Sequence, residues 1–167
     1  AGETVEAWEM ALNRHEGPTA LLLTRQGLPV LDRSGREGGV SRGAYLLRNG
    51  TDLSLWATGS ELHLALEAGA ALETERRLSV RVVSAPCLEA FALQPDSYKS
   101  KLMPDDVPTL FVEASRTVGS IGTMRPRTFH HLGLDRFGAS APGDDVARAL
   151  GFTTEGVTAA ALKLLDA

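Results

Sequence analysis

The sequence predicts an α/β fold in which a mainly parallel sheet of about five strands carries helices on both faces. Short β-branched and apolar runs alternate with longer stretches that have the spacing of amphipathic helices. Elements of these lengths in this order indicate right-handed β-α-β crossovers, which produce parallel sheets. A helix and a strand at the start of the chain are predicted to precede this sheet as a fragment of another domain.

That fragment begins with a helix predicted over residues 4–14. Its apolar face has i, i+3, i+7 spacing and consists of Val5, Trp8 and Leu12. A six-residue apolar run follows at 19–24 and is typical of a strand buried on both faces. Such a strand requires a partner. We therefore expect residues 1–33 to pack weakly against the rest of the chain unless a partner covers them.

Residues 27–43 differ in character because they are rich in glycine and arginine. This composition is typical of a linker. It places a domain boundary near residue 38, with a first segment over 1–38 and a second over 39–167.

The strands of the second segment follow from runs of β-branched and aromatic residues. They are predicted at 44–47 (an edge strand), 53–57, 79–84, 109–113 and 129–134. Residues 115–127 are rich in Gly, Ser and Arg and are predicted to form a loop.

Helices are predicted between these strands and after the last one. The helix over 61–75 has an apolar face made of Leu62, Leu66 and Ala70, with Leu72 beside it. Pro86 is predicted to begin a short helix that contains Phe91, and a further turn or two is expected at 98–102. Pro142 begins the helix that reaches Leu150, a position that proline favours.

The last helix is predicted to have Thr153 as its N-cap. Its buried side is predicted to consist of Val157, Ala161 and Leu164 or Leu165.

Composition excludes several classes of function. The chain has 167 residues and a formal net charge of −4, and its Lys and Arg residues form no basic stripe of the kind that binds nucleic acid. No apolar run approaches the roughly 20 residues that span a bilayer. The single cysteine, Cys87, forms no internal disulfide. Because the first residues also lack the pattern of a signal peptide, we expect a cytoplasmic protein.

One turn has the local pattern of an anion site. Thr58, Gly59 and Ser60 join a strand to the start of a helix, where exposed amides attract anions. The sequence here is neither a P-loop nor a dinucleotide fingerprint. In the simpler interpretation, which the pattern favours, Ser60 caps the helix and Gly59 makes a tight turn.

The histidines and the cysteine indicate no catalytic centre. His130 and His131 are adjacent in a predicted strand, so their side chains point to opposite faces and do not share a metal ion. Cys87 directly follows Pro86 after a strand but has no assignable partner that would activate it. We expect it to be a free, partly buried thiol.

Arg25 is the most informative single residue. It directly follows the predicted strand 19–24, at the carboxyl end where α/β sheets place ligands. A guanidinium there suits a phosphate or a carboxylate. An ion pair between segments explains the same position equally well.

Several stretches, in this order and spanning nearly the whole chain, together resemble transketolase. They are Gly17–Gln26, Arg42–Leu47, the Ala57–Ala65 stretch with its ATGSE turn, Val80–Pro86, Phe137–Pro142 and Gly151–Thr153. No single stretch is decisive, but their joint occurrence in family order is specific. By this resemblance the chain starts partway through the family's pyrimidine-binding domain and continues through its C-terminal domain.

The resemblance implies the transfer of a two-carbon ketol unit between sugar phosphates by a homodimer. The complete enzyme would use thiamine diphosphate with Mg²⁺ or Ca²⁺, bound between domains of two subunits. Of the family's functional residues only Arg25 falls within this chain, where it would grip the substrate phosphate. The activating glutamate, the donor-site histidines and the metal ligands all belong upstream. We therefore expect this chain to hold no cofactor and to be inactive alone.

The region 115–127 departs from the family pattern, because an aromatic-bearing helix is usual there and this sequence carries glycines instead. Two alternatives stay open at this point. One is a stand-alone interaction or regulatory module. The other is the equivalent domain of deoxyxylulose phosphate synthase or of a 2-oxoacid dehydrogenase β chain.

Overall fold

A five-stranded sheet forms the centre of the molecule. The computed structural model describes residues 1–36, 38–116 and 126–166. The strands are β1 (Tyr45–Arg48), β2 (Leu53–Ala57), β3 (Val80–Ser84), β4 (Thr109–Val112) and β5 (Phe129–Leu132). Their order is β1-β3-β2-β4-β5; β1 is antiparallel to β3 and all other pairs are parallel. The predicted α/β class and mainly parallel sheet are confirmed.

Helices lie on both faces of this sheet, as predicted. They are α1 (Gly2–Asn13), α2 (Leu62–Arg76), α3 (Leu88–Ala92), α4 (Asp96–Leu102), α5 (Gly143–Leu150) and α6 (Thr154–Leu165). Helices α2 and α6 cover one face and share a core with Leu55 and Val82. Helices α3 and α4 cover the other face, where Trp56 and Phe91 pack with ring centroids 5.2 Å apart.

The central strands contain polar groups that are satisfied inside the core. Trp56 Nε1 donates a hydrogen bond to Ser54 Oγ at 3.0 Å. Arg81, the second residue of β3, is 9% exposed and donates to the carbonyls of Gly50 and Lys101 at 3.2 and 2.6 Å. These bonds offset the cost of removing the groups from water.

Helix α2 buries a different face from the predicted one. Ala70 is exposed and Leu66 half-buried, and the buried residues are Leu62, Ala65, Ala68, Gly69 and Leu72. The physical reason is that α2 contacts both the sheet and α6. Its buried face is therefore wide and includes the small residues Ala65, Ala68 and Gly69. A Cβ at Gly69 would lie 3.3 Å from Val82 Cγ2, which shows how closely the helix approaches the strand.

The last helix agrees with its prediction. The side chain of Thr153 accepts a hydrogen bond from the Gly156 amide at 3.1 Å, which is a side-chain N-cap. Val157, Ala161 and Leu164 are buried.

The predicted strand at 19–24 is wrong. Residues 14–24 contain neither helix nor strand, and Leu22 and Leu23 are 91% and 57% exposed. An apolar run becomes a strand only when another strand pairs with its backbone. In the described part of the chain no strand lies beside it.

The linker and loop predictions have different outcomes. Apart from a 3-10 turn at Val40–Arg42, residues 27–36 and 38–43 contain neither helix nor strand. The boundary near residue 38 stays a prediction. Of the predicted loop 115–127, residues 117–125 lie outside the described residues, and the rest form neither helix nor strand. Within the described ranges, no helix has both the length and the apolar character needed to cross a membrane.

Candidate functional site

Arg25 lies on the surface, in a turn rather than after a strand. It is exposed. The residues on either side of it are joined by a hydrogen bond, in which the Gln26 amide donates to Thr24 Oγ1 at 3.3 Å. The Gln26 side chain reaches the first residue of α5, with its Nε2 3.4 Å from the position of a Cβ on Gly143. The guanidinium has no hydrogen bond or ion pair to the described residues. The role of Arg25 as a phosphate contact stays a prediction.

The turn at Thr58, Gly59 and Ser60 joins β2 to α2 at the carboxyl edge of the sheet. Gly59 has a φ of 54°, in the region that favours glycine, so the tight turn is confirmed. The predicted cap is wrong, because Ser60 Oγ donates to Glu61 Oε1 at 2.7 Å instead of accepting from a backbone amide.

A small cleft of about 60 Å³ faces that turn. The start of α1 and residues 28–33 form its other walls, and the carboxylate-bearing Glu3 is among the lining residues. The Arg33 guanidinium lines the same cleft, so the charges around it are mixed. The anion site at Thr58–Ser60 remains a prediction.

A polar network fastens α1 to the sheet beside this cleft. Tyr45 Oη donates to Glu3 Oε1 at 2.7 Å and accepts from Arg33 Nε at 2.6 Å. Ser84 Oγ also donates to Glu3, and the Arg33 guanidinium pairs with Glu6 at 2.9 Å. Burial, followed by the Glu3 carboxylate, raises the pKa of Tyr45 far above its usual value. The phenol is therefore held protonated as a donor.

Sequence reasoning did not find this network, which we call the Tyr45 network. Glu3 and Tyr45 are 42 positions apart, and no local spacing connects them. The only available indication was that a tyrosine in an edge strand needs a hydrogen-bond partner when it is buried.

Carboxylates gather where strands β3 and β4 end. Burial raises the pKa of Glu113, and the charges of Glu61 and Glu89 raise it further, against an opposing hydrogen bond from Ser115. Cys87 Sγ lies 3.7 Å from Glu89 Oε2. It is a free, half-buried thiol, as predicted. A carboxylate neighbour does not activate a thiolate in the way that a cation does.

The two adjacent histidines point to opposite faces of β5, as predicted. His131 packs on Phe111 with ring centroids 5.8 Å apart, and burial lowers its pKa. His130 is exposed. In the described ranges, no group of three or more His, Cys, Asp or Glu side chains has the arrangement of a metal site.

Comparison with known families gives a consistent set of relatives. A sequence model of the transketolase-like C-terminal domain matches residues 43–153. The chain is 40% identical over 167 residues to the transketolase of Sinorhizobium medicae and 42% identical over 162 residues to that of Bacillus subtilis. These alignments cover 98% and 93% of this chain.

Solved structures give the same result. The chain is similar to transketolase from Leishmania mexicana, with a TM-score of 0.87 at 39% identity. It is also similar to Pichia stipitis transketolase in complex with sedoheptulose 7-phosphate, with a TM-score of 0.88 at 37% identity. Each match covers 99% of this chain and 24% of the solved chain. The chain likewise spans 24% of the length of the Sinorhizobium and Bacillus relatives.

Proposed function

Since this chain belongs to the transketolase family, we propose that it forms the C-terminal section of an enzyme that transfers a two-carbon ketol unit between sugar phosphates. The observation that carries the proposal is the similarity over 98% of this chain at 40% identity. The Pichia stipitis relative binds a sugar phosphate, which supports the same substrate class here. We place the complete enzyme in the cytoplasm, as a homodimer.

The described residues do not fit the cofactor of that reaction. Thiamine diphosphate is held through Mg²⁺ or Ca²⁺, which take oxygen ligands, and in the described part of the chain no three His, Cys, Asp or Glu side chains are grouped to hold an ion. The cleft at the carboxyl edge of the sheet has a volume of only about 60 Å³. We therefore assign cofactor binding to the rest of the enzyme, and no catalytic step to this chain.

The chain's first proposed contribution is an assembly surface. The apolar face of α1 is open to solvent, with Val5, Trp8 and Leu12 exposed by 70%, 54% and 71%. Leu22 and Val30, farther along the sequence, are 91% and 80% exposed. An exposed apolar helix face of this kind is typical of an interface. We propose that the remainder of the transketolase and its second subunit cover it.

The second proposed contribution is one substrate contact. An exposed arginine without a partner is suited to a phosphate, because its planar fork donates two parallel hydrogen bonds. Arg25 is such a residue, and the family resemblance gives it the same role. The charge on the sugar phosphate would thereby be neutralised at the surface of the N-terminal segment.

A chimeric enzyme tests the proposal. The last quarter of Bacillus subtilis transketolase, the region 42% identical to this chain, would be replaced by residues 1–167. We expect ketol transfer between sugar phosphates in the presence of thiamine diphosphate and Mg²⁺. As a control, the same enzyme would end where the graft begins. A folded, dimeric chimera without activity would contradict the proposal.

A further inference from the structure

A groove of about 360 Å³ lies between β5 and α6. Residues at the amino end of β5 line it. Because β5 is parallel to β4, the groove lies at the edge of the sheet opposite the carboxyl edge, where Gly59 and Glu113 lie. Neither Arg25 nor the Tyr45 network contributes to it. The proposed transketolase function therefore leaves this groove unused.

The groove carries positive charge in a chain whose net charge is −4. Its cations are Arg127, just before β5, and Lys163 of α6, and the imidazole of His130 lines it as well. Among the described residues no Asp or Glu lines the groove, and none forms an ion pair with Arg127 or Lys163. These charges are thus uncompensated within the described structure.

Ordinary structural reasons explain only one of these three residues. Lys163 lies in the last turn of α6, where the negative end of the helix dipole favours a cation. Arg127 precedes β5 and His130 lies within it, so neither interacts with a helix end of its own. No interaction with a helix end therefore explains why Arg127 and His130 line the same groove as Lys163.

The rest of the groove wall is apolar. Ala160 and the largely buried Leu164 line it from α6. A volume of about 360 Å³ falls within the range of roughly 300–1,000 Å³ that is usual for small-molecule sites. Such sites combine apolar walls with a few polar groups that fix the orientation of the ligand.

We propose that this groove binds a phosphate monoester whose organic part is apolar or aromatic. The dianionic phosphate matches the arginine fork and the Lys163 ammonium better than a singly charged carboxylate does. The organic part would cover Ala160 and Leu164 and remove their apolar surface from water. Inorganic phosphate would meet only the cations and is expected to bind more weakly.

Phenyl phosphate is a suitable probe, titrated into the 167-residue chain at constant ionic strength and followed by amide NMR shifts. We expect saturable binding of one equivalent, with the shifts centred on Ala160 and Lys163. Benzyl alcohol should cause no saturable shift, and inorganic phosphate should bind at least about fivefold more weakly, a difference of about 1 kcal/mol.

Two variants, Arg127→Gln and Lys163→Gln, should each raise the dissociation constant at least about fivefold. Arg76→Gln is the matched control, because Arg76 is an exposed arginine outside the groove in the last turn of α2. It should leave binding unchanged. Amide spectra that superimpose on those of the parent chain would show that the variants are folded. Absence of saturable binding by the parent chain, or an equal loss in Arg76→Gln, would overturn the proposal.

Discussion

Tyr45 illustrates how a single side chain holds the N-terminal segment against the sheet. Its hydroxyl group donates to Glu3 and accepts from Arg33, and the Arg33 guanidinium lies 4.8 Å from the centre of its ring. Removing the hydroxyl leaves a half-buried carboxylate and a half-buried guanidinium with fewer partners. Glu3 keeps its hydrogen bond from Ser84 and Arg33 keeps its ion pair with Glu6, so the cost is that of losing hydrogen bonds to charged groups, about 1–3 kcal/mol.

Tyr45→Phe should therefore lower the free energy of unfolding by about 1–3 kcal/mol and speed amide exchange throughout α1. Tyr98→Phe is the control, because the Tyr98 hydroxyl donates to the Ala44 carbonyl at 2.9 Å and does not contact α1. Urea unfolding and hydrogen exchange measure the two effects. Exchange in α1 that stays at its original rate in Tyr45→Phe would contradict the role given to the network.

Glu113 gives a pH-dependent prediction. Its pKa is raised, chiefly by burial and then by Glu61 and Glu89, so the folded state retains its proton to higher pH than the unfolded state does. Its contribution to stability is therefore complete below the unfolded pKa of 4.5 and declines as the pH rises above it. At neutral pH the burial of this carboxyl group therefore opposes folding more than it does at acid pH.

Glu113→Gln should consequently raise the urea midpoint at pH 7, and the gain should shrink as the pH is lowered toward 4.5. The amide has nearly the same shape as the protonated carboxyl and still accepts a hydrogen bond from Ser115. Glu75→Gln, on the exposed surface of α2, is the control for loss of one charge. A gain that is independent of pH would show that burial of the Glu113 charge is not its cause.

Arg25 is tested in the chimeric enzyme described above. Arg25→Gln should raise the KM for phosphorylated sugars by about 10- to 100-fold, the effect of losing a hydrogen bond to a charged group. The KM for an unphosphorylated aldehyde should not change. Arg14→Gln serves as the control, because Arg14 is an exposed arginine of the same segment. Equal losses with both classes of substrate would argue against a phosphate contact.

At the scale of elements, α6 is the helix whose start is fixed by a side chain. Thr153→Ala removes the acceptor of the Gly156 amide and should cost about 1 kcal/mol of unfolding free energy. Thr158→Ala, inside the same helix, removes only a hydroxyl that donates to the Thr154 carbonyl at 2.8 Å and should have little effect. Thermal and urea unfolding of the two variants compare them directly. Equal stabilities would mean that the cap contributes nothing.

Elements whose formation depends on nearby residues were predictable from the sequence. The strand at Leu53–Ala57 is an apolar run bounded by turn residues, and its predicted limits are confirmed. The cap at Thr153 follows from the preference of a hydroxyl for that position. Elements that depend on partners distant in the sequence were harder to predict. The run at 19–24 has the composition of a strand but no strand beside it among the described residues.

In the candidate site, too, local features were predictable from the sequence, and contacts between distant residues were not. The residue type and exposure of Arg25 suited an anion contact, but its position in a turn beside α5 required the structure. The Tyr45 network was not found because it joins positions 42 residues apart. The groove between β5 and α6 was also missed, since Arg127 and Lys163 lie far apart in the sequence and meet only in the folded chain.

At the scale of the whole molecule, two features support a role as part of a larger enzyme. The chain spans 24% of the length of its relatives, and the apolar face of α1 is open to solvent. Together with the family resemblance, these features support the proposal that ketol transfer requires more than this chain.

The most direct test of that claim is a ketol transfer assay of the purified 167-residue chain with thiamine diphosphate, Mg²⁺ and donor and acceptor sugar phosphates. Bacillus subtilis transketolase in the same buffer is the positive control. We expect no turnover by this chain above the reaction without enzyme. Turnover that co-purifies with the chain would contradict this, because the proposal gives the chain one substrate contact and no catalytic step.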